Sequence, residues 1–175
     1  MYANLINNHG IQMEANPIKL SKLFEEKYQS LLKEIVQQKF PLITLDIGTP
    51  PEDIFIKGLE PVFRSYFIQL IFNASLHADC QNIQITFNDD CIEVRNDILK
   101  EPDDLKLLIE NFHKKYNRET MDKFVESPNY IDYYGFTLLT LYYYCKSVGM
   151  KCEMDVDNKG EDSSFYIKLF YPQNS

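Results

Sequence analysis

The segment at residues 59–77 limits the possible folds of this chain more than any other part of the sequence. Its apolar residues recur at helical spacing, so they predict a long helix that is largely buried. These residues are Leu59, Phe63, Phe67, Leu70, Ile71 and Ala74. Directly after it, residues 82–87 and 91–96 alternate in polarity around an acidic turn at 88–90, which predicts a β-hairpin.

The rest of the chain repeats this combination of helices and hairpins. Residues 17–39 predict one helix, with Asn16 as its cap and Pro17 at its first position. The other predicted elements are a strand at 40–47, a short extended piece at 54–56, a short helix at 102–111, a helix at 135–148 and a closing hairpin at 151–157 and 163–171. Residues 112–134 lack clear periodicity, which is typical of a long connection that serves as a lid.

The order of these elements predicts an α+β fold. We expect a two-layer sandwich in which helices cover one face of a mixed, mostly antiparallel sheet. A chain of 175 residues is long enough for one domain with a proper core and short for two. We therefore assign residues 1–16 to an N-terminal tail and residues 17–175 to a single domain.

Composition argues against several functions. The net charge of −8 disfavours binding to nucleic acid duplexes, because neutralising phosphates needs clustered Lys and Arg. No apolar run is long enough to cross a bilayer, and residues 1–16 carry no secretory signal, so we expect a cytoplasmic protein. The four cysteines lack CxxC spacing, so they suggest neither a zinc site nor a redox pair.

Residues 69–78 (QLIFNASLHA) resemble the N box of the GHKL family, which contains the gyrase, Hsp90, histidine kinase and MutL ATP-binding domains. The likeness is greatest to the ATP-binding domain of sensor histidine kinases and runs over residues 17–172. It implies a Bergerat-type fold that binds ATP or ADP with Mg²⁺. Asn73 matches the residue whose amide oxygen holds Mg²⁺ against the phosphates, and His77 belongs to the same box. The alternative is that Asn73 only ends or caps a core helix.

The second box of the family is an Asp followed by glycines at the end of a strand. By spacing, Asn96 takes the position of the Asp that recognises the adenine amino group, and Ile98 replaces a glycine. A shift of one residue would use Asp97 instead, with its side chain on the other face of the strand. A branched side chain at 98 would crowd the place where the backbone and the nucleotide meet closely.

The lid and the last glycine box are matched only in part. Phe112 resembles the aromatic residue that opens the kinase lid, although core packing is an equal alternative. The cations Lys114, Lys115 and Arg118 could approach phosphates or simply be solvated. At the start of the next helix, Gly135 stands where the family cradles phosphate, and Thr137 replaces the glycine that follows.

Two further departures bear on activity. Gln69 stands where related ATPases keep a water-activating carboxylate, and it cannot accept a proton at neutral pH. Leu76 replaces a cation that often contacts phosphate, and such a contact contributes about 1.5–3 kcal/mol. We therefore predict weak Mg²⁺-dependent binding of ATP or ADP, or none, and no efficient ATPase or kinase activity.

These features favour a degenerate ATP-binding domain that acts as a regulatory or interaction module in signal transduction, such as a two-component system. Two alternatives stay open: an active stand-alone kinase of the anti-sigma-factor type that acts in trans, and a phosphotransfer-type scaffold without a nucleotide site. We expect a protein partner and leave a homodimer open. The consecutive residues Tyr142, Tyr143 and Tyr144 point in different directions on one helix, so at least one ring should reach the surface.

Overall fold

A computed structural model of the protein describes residues 17–77, 82–98, 109–110, 133–159 and 162–172. The helices are α1 (Leu20–Leu23), α2 (Glu26–Lys39), α3 (Glu60–His77) and α4 (Tyr133–Ser147). The strands are β1 (Pro17–Lys19), β2 (Thr44–Ile47), β3 (Phe55–Lys57), β4 (Asn82–Phe87), β5 (Cys91–Ile98), β6 (Lys151–Lys159) and β7 (Asp162–Phe170). Ile109 and Glu110 are also helical.

The main sheet has five strands in the order β2-β4-β5-β7-β6. Strand β2 runs parallel to β4, and every other neighbouring pair is antiparallel. A separate two-stranded sheet joins β1 to β3. The predicted α+β class with a mixed, mostly antiparallel sheet is confirmed.

Alternation along the strands explains why the helices lie on one face of the sheet. In β5, Ile92 and Val94 are buried, whereas Glu93 and Arg95 between them are partly exposed. Helix α3 contacts β5 and α4, α4 contacts β6, and α2 contacts β2. Because side chains in a strand alternate between faces, the apolar set meets the helices and the charged set faces away. We call these the helix-covered face and the open face.

The prediction of one helix from Pro17 to Lys39 is wrong at its beginning. Pro17 starts β1 and pairs with Lys57 of β3, so it does not occupy the first turn of a helix. The backbone N–H of Leu20 then donates to the carbonyl oxygen of Ile54 at 2.9 Å, which holds the short helix α1 against the small sheet. The long helix α2 begins only at Glu26.

The predicted strand at 40–47 also begins later than expected, at Thr44. A turn precedes it, in which the N–H of Ile43 donates to the carbonyl oxygen of Phe40 at 2.9 Å. Both predicted hairpins are present, and β5 extends two residues further than expected, to Ile98. The predicted lid at 112–134 lies mostly outside the described residues, as does most of the short helix at 102–111. No described helix has the length and apolar character needed to cross a bilayer.

Aromatic rings fill one end of the layer between α3 and the sheet. The ring of Phe24 lies at the centre, with centroid distances of 4.9 Å to Phe67 and 5.0 Å to Phe87. Phe63 stacks on Phe67 at 5.8 Å and contacts Tyr144 of α4 edge-on at 6.4 Å. Edge-to-face pairs at these separations add to the stabilisation from apolar burial. We call these five residues the aromatic end.

Candidate functional site

Helices α3 and α4 lie side by side and run in opposite directions. Gly58, just before α3, lies so close to Val148, just after α4, that an added Cβ would be 3.7 Å from a methyl group of Val148. Further along, the ring of Tyr66 in α3 is 5.0 Å from that of Tyr144 in α4. The beginning of α3 is therefore next to the end of α4.

This antiparallel arrangement brings two predicted site positions to the same level. At 1.5 Å per residue, Asn73 lies about 10 Å beyond Tyr66 along α3, and Gly135 lies about 13 Å before Tyr144 along α4. Because the helices run in opposite directions from the Tyr66–Tyr144 contact, both displacements point the same way. Asn73 and Gly135 are thus at the same end of the helix layer.

The sheet contributes Asn96 to this end. Helix α3 ends at His77 and is followed after residues 78–81 by β4, whose Ile83 is the register partner of Asn96. A connection this short keeps the first residues of β4 close to the end of α3. Next on β5, Ile98 pairs with Ser163 at the start of β7. We call Asn73, Asn96, Ile98 and Ser163 the polar end.

Asn73 lies inside α3, four residues before the helix ends. Its side chain is only 7% exposed, and its Nδ2 is buried with no hydrogen-bond partner among the described residues. By contrast, the hydroxyl of Ser75 on the same helix donates to the carbonyl oxygen of Ile71 at 2.8 Å. The alternative that Asn73 caps the helix is therefore wrong, and its unpartnered donor costs about 1–3 kcal/mol.

Asn96 is 2% exposed and shares the helix-covered face with Val94. Among the described residues, its side chain makes one hydrogen bond, from Nδ2 to the carbonyl oxygen of Asp97 at 3.5 Å, which is at the outer limit for such a bond. Like Asn73, it is a buried amide whose hydrogen-bonding groups are poorly used. Both amides therefore have groups available to a ligand.

Asp97 points to the open face and is exposed, so the one-residue shift in register does not bring its carboxylate to the polar end. Its face carries an ion-pair network in which Arg95 donates from Nε to Glu93 at 2.8 Å and from Nη1 to Asp157 at 3.1 Å. Burial alone would lower the pKa of Arg95, but the hydrogen bonds and charges of these two carboxylates outweigh it and raise that pKa. Arg95 also donates to Ser164 at 2.6 Å. On the open face, Arg95 therefore has hydrogen-bond partners within the protein.

Ile98 is buried on the same face as Asn96, two residues further along β5. It lies outside the main hydrophobic cluster of the described residues, which includes Val94 and Ile92 on the same strand. Its branched side chain is therefore buried at the polar end, outside that cluster. A glycine in this position would leave that space open.

The remaining predicted site residues are placed only in part. Gly135 and Thr137 lie in the first turns of α4, and His77 is the last residue of α3. The side chains of Thr137 and His77 are outside the described part of the structure. The lid residues Phe112, Lys114, Lys115 and Arg118 lie wholly outside it.

Ser163 and Thr140 are among the buried polar residues that sequence reasoning did not single out. Ser163 alternates with Phe165 and Ile167 along β7, and this pattern of two could have placed it on the helix-covered face. Thr140 stands among the apolar residues of α4, and no signal in the sequence distinguishes it from its neighbours.

A bound Mg²⁺ would depend on the nucleotide for most of its ligands. Within the described residues, no group of three or more His, Cys, Asp or Glu side chains could hold a metal ion. Asn73 is a buried amide, and an amide oxygen is a suitable ligand for a cation that takes its other ligands from phosphate and water. The residues present are therefore compatible with Mg²⁺ that arrives with a nucleotide, with Asn73 as the protein ligand.

No protein-family model matches the sequence, and no curated protein is significantly similar to it. Solved structures, however, share its fold over nearly the whole chain. The cytoplasmic segment of histidine kinase QseC matches with a TM-score of 0.59 and 14% identity, covering 99% of this chain and 87% of that one. The catalytic domain of histidine kinase ThkA matches with a TM-score of 0.57 and 17% identity, covering 91% and 97%.

The ATP-binding domain of PrrB from Mycobacterium tuberculosis matches with a TM-score of 0.52 and 13% identity, covering 91% of this chain and 99% of that one. Identities this low show the fold and leave the activity open. The mixed, mostly antiparallel five-stranded sheet with its helices matches the fold of these domains. The chain therefore has the fold of the catalytic, ATP-binding domain of histidine kinases.

Proposed function

We propose that the protein is a regulatory or interaction module of signal transduction that uses the histidine kinase ATP-binding fold and binds nucleotide weakly or not at all. The end of β5 carries this proposal. There the buried side chain on the helix-covered face is the neutral amide of Asn96, and the buried Ile98 follows on the same face. A neutral amide attracts a base amino group less strongly than a carboxylate does, and Ile98 reduces the space for a ligand.

Gln69, at the position where related ATPases keep a water-activating carboxylate, supports the proposal that the protein does not turn over nucleotide. Gln69 is half-buried on α3, one helical turn before Asn73. Its amide cannot remove a proton from water at neutral pH. The proposed module therefore has no general base at this position.

An exposed aromatic residue supports the interaction role. Tyr143 of α4 is 40% exposed, whereas the adjacent Tyr144 is buried, so the prediction that one of these rings reaches the surface is confirmed. Tyrosine supplies large contact area at low entropic cost, and it is enriched at protein interfaces. We propose Tyr143 as part of the surface that contacts a protein partner.

The observation that favours the alternative of an active kinase acting in trans is the unpartnered Nδ2 of Asn73. A buried donor with no partner is costly, so its presence in α3 is easier to explain if a ligand uses it. The alternative of a scaffold without a nucleotide site is favoured by Ile98. Nucleotide affinity separates the three functions.

Calorimetric titration with ATP and ADP, with and without Mg²⁺, is the decisive test. We expect dissociation constants above about 100 μM, which corresponds to less than about 5.5 kcal/mol of binding free energy. The matched control is Asn73→Ala, which should abolish any Mg²⁺-dependent heat. Micromolar binding that this variant removes, together with a phosphate mass increase on a co-purified protein, would favour the active kinase instead. A complete lack of heat at millimolar nucleotide would favour the scaffold.

A further inference from the structure

Asn96 is an amide held among apolar residues of neighbouring strands. Its register partners are Ile83 on β4 and Phe165 on β7, and all three side chains share the helix-covered face. Neither neighbour carries a side-chain hydrogen-bonding group. With only the 3.5 Å contact to the carbonyl oxygen of Asp97, the donor of Asn96 is scarcely used by the protein. A ligand at the polar end would find both an acceptor and a donor there.

An amide and an ionised carboxylate present different patterns to a heterocyclic base. The amide offers an acceptor and a donor side by side, whereas the carboxylate offers acceptors alone. A 6-aminopurine presents an N–H donor next to a ring nitrogen acceptor. A 6-oxopurine presents a carbonyl acceptor next to a ring N–H donor. An amide can match either edge if it turns over by 180° about its last torsion. A carboxylate that faces the 6-position accepts a hydrogen bond from the amino group, whereas its charge repels the carbonyl oxygen of the oxo form.

Asn73 supplies a second, independent observation at the same end. Its Nδ2 is buried and unpartnered, so it needs an acceptor that the described residues do not provide. Sugar hydroxyl and phosphate oxygens are such acceptors, and all purine nucleotides carry them whatever the base. The polar end therefore has one amide suited to the common part of a nucleotide and one suited to its base.

We infer that the polar end binds 6-oxopurine nucleotides, those of guanine and hypoxanthine, about as well as adenine nucleotides, with Asn96 as the residue that determines this tolerance. The inference rests on the proposed function, in its form where the polar end still binds nucleotide weakly. It gives that site a ligand class broader than adenine nucleotides. The orientation of the Asn96 amide then adjusts to the base that is bound.

The test compares ADP with inosine diphosphate, because hypoxanthine differs from adenine only at the 6-position and the adjacent ring nitrogen. Both are titrated into the full chain in the presence of Mg²⁺, by calorimetry or by thermal shift at millimolar ligand. We expect the two dissociation constants to agree within about 5-fold. In Asn96→Asp, inosine diphosphate should bind at least about 10-fold more weakly relative to ADP, since an unmatched polar group discriminates strongly in a buried site.

Asp97→Asn is the matched control. It makes the opposite change one residue away, on the open face, and should leave the ratio of the two affinities unchanged. Asn96→Ala covers the case in which a buried carboxylate prevents folding, and it should weaken both nucleotides by a similar factor.

Binding of ADP with inosine diphosphate more than about 50-fold weaker in the unmodified chain would overturn the inference. So would a failure of both nucleotides to bind at millimolar concentration, a result that would also favour the scaffold without a nucleotide site. Conversely, tight and equal binding of both nucleotides with efficient turnover would overturn the proposed function and leave the inference standing.

Discussion

The aromatic end and the polar end lie in the same α/β layer but are built in opposite ways. At the aromatic end, Phe24 and Phe67 are almost completely buried and touch other rings on several sides. At the polar end, the equally buried Asn73 and Asn96 have hydrogen-bonding groups that are unused or poorly used. Helix α3 passes through both ends.

The comparison suggests that stability and binding are divided along α3. Burial and ring contacts at the aromatic end stabilise the folded state, whereas a buried amide without a partner destabilises it. A domain can tolerate buried amides without partners if aromatic packing elsewhere stabilises it by more than they cost. Substitutions at the aromatic end should therefore affect mainly stability, and substitutions at the polar end mainly ligand binding.

The largest effect is expected from Phe67→Ala at the aromatic end. It removes a ring that packs on both Phe24 and Phe63 and leaves a cavity, so it should lower the free energy of unfolding by about 3–5 kcal/mol. Urea unfolding followed by circular dichroism measures this change. Phe55→Ala is the control, because that ring is 54% exposed and its loss should cost less than about 0.5 kcal/mol. Equal costs for the two variants would contradict the assignment of a stabilising aromatic end.

Gly58→Ala probes the contact between the beginning of α3 and the end of α4. Gly58 has φ of 149°, and a Cβ there would overlap the hydroxyl oxygen of Tyr144. Burial raises the pKa of this tyrosine to about 12, so the hydroxyl stays protonated at neutral pH. Backbone strain and overpacking together should cost about 2–4 kcal/mol.

Gly149→Ala is the control for Gly58→Ala. Gly149 has φ of 77° but no atom within 4 Å of an added Cβ, so only the backbone term of about 1–2 kcal/mol remains. Adding Tyr144→Phe to Gly58→Ala should recover part of the loss by removing the clashing oxygen. Thermal unfolding of these three variants and of the parent measures these differences. A Gly58→Ala protein as stable as the parent would disprove the close approach of the two helices.

Asn96→Asp should destabilise the protein without nucleotide by about 1–3 kcal/mol at pH 7, because it buries a carboxylate among apolar side chains. Burial should raise the pKa of this carboxylate above the value of about 3.9 for the unfolded chain. The unfolded state then ionises first, so the free energy of unfolding falls, relative to the parent, as pH rises from about 4 to the folded-state pKa. Denaturation at several pH values tests this. A pH-independent difference would indicate that the side chain is solvated.

The smallest change in stability is expected from Asn73→Ala. The substitution removes an unpartnered donor and introduces a better helix former, and these gains offset the lost packing, so we expect a change within about 0.5 kcal/mol. Leu70→Ala, nearly as close to the end of α3 and fully buried, should instead cost about 2–5 kcal/mol. Chemical unfolding of both variants tests the contrast. A large loss from Asn73→Ala would mean that its amide stabilises the fold.

The sequence by itself determined the types of most elements and the face that each strand buries. Periodicity is a local property, so the buried helix α3, both hairpins and the placement of Asn73 on α3 could be predicted from neighbouring residues. The break between α1 and α2 could not, because Pro17 fits a helix start as well as a strand. Pairing with β3, nearly forty residues away, made it a strand.

Tertiary structure decided which side chains meet. The register of the sheet placed Asn96 between the apolar residues Ile83 on β4 and Phe165 on β7. The antiparallel packing of α3 and α4 brought Asn73 and the beginning of α4 to one end. Contacts between distant segments depend on the packing of the whole core, and a single stretch of sequence does not contain that information.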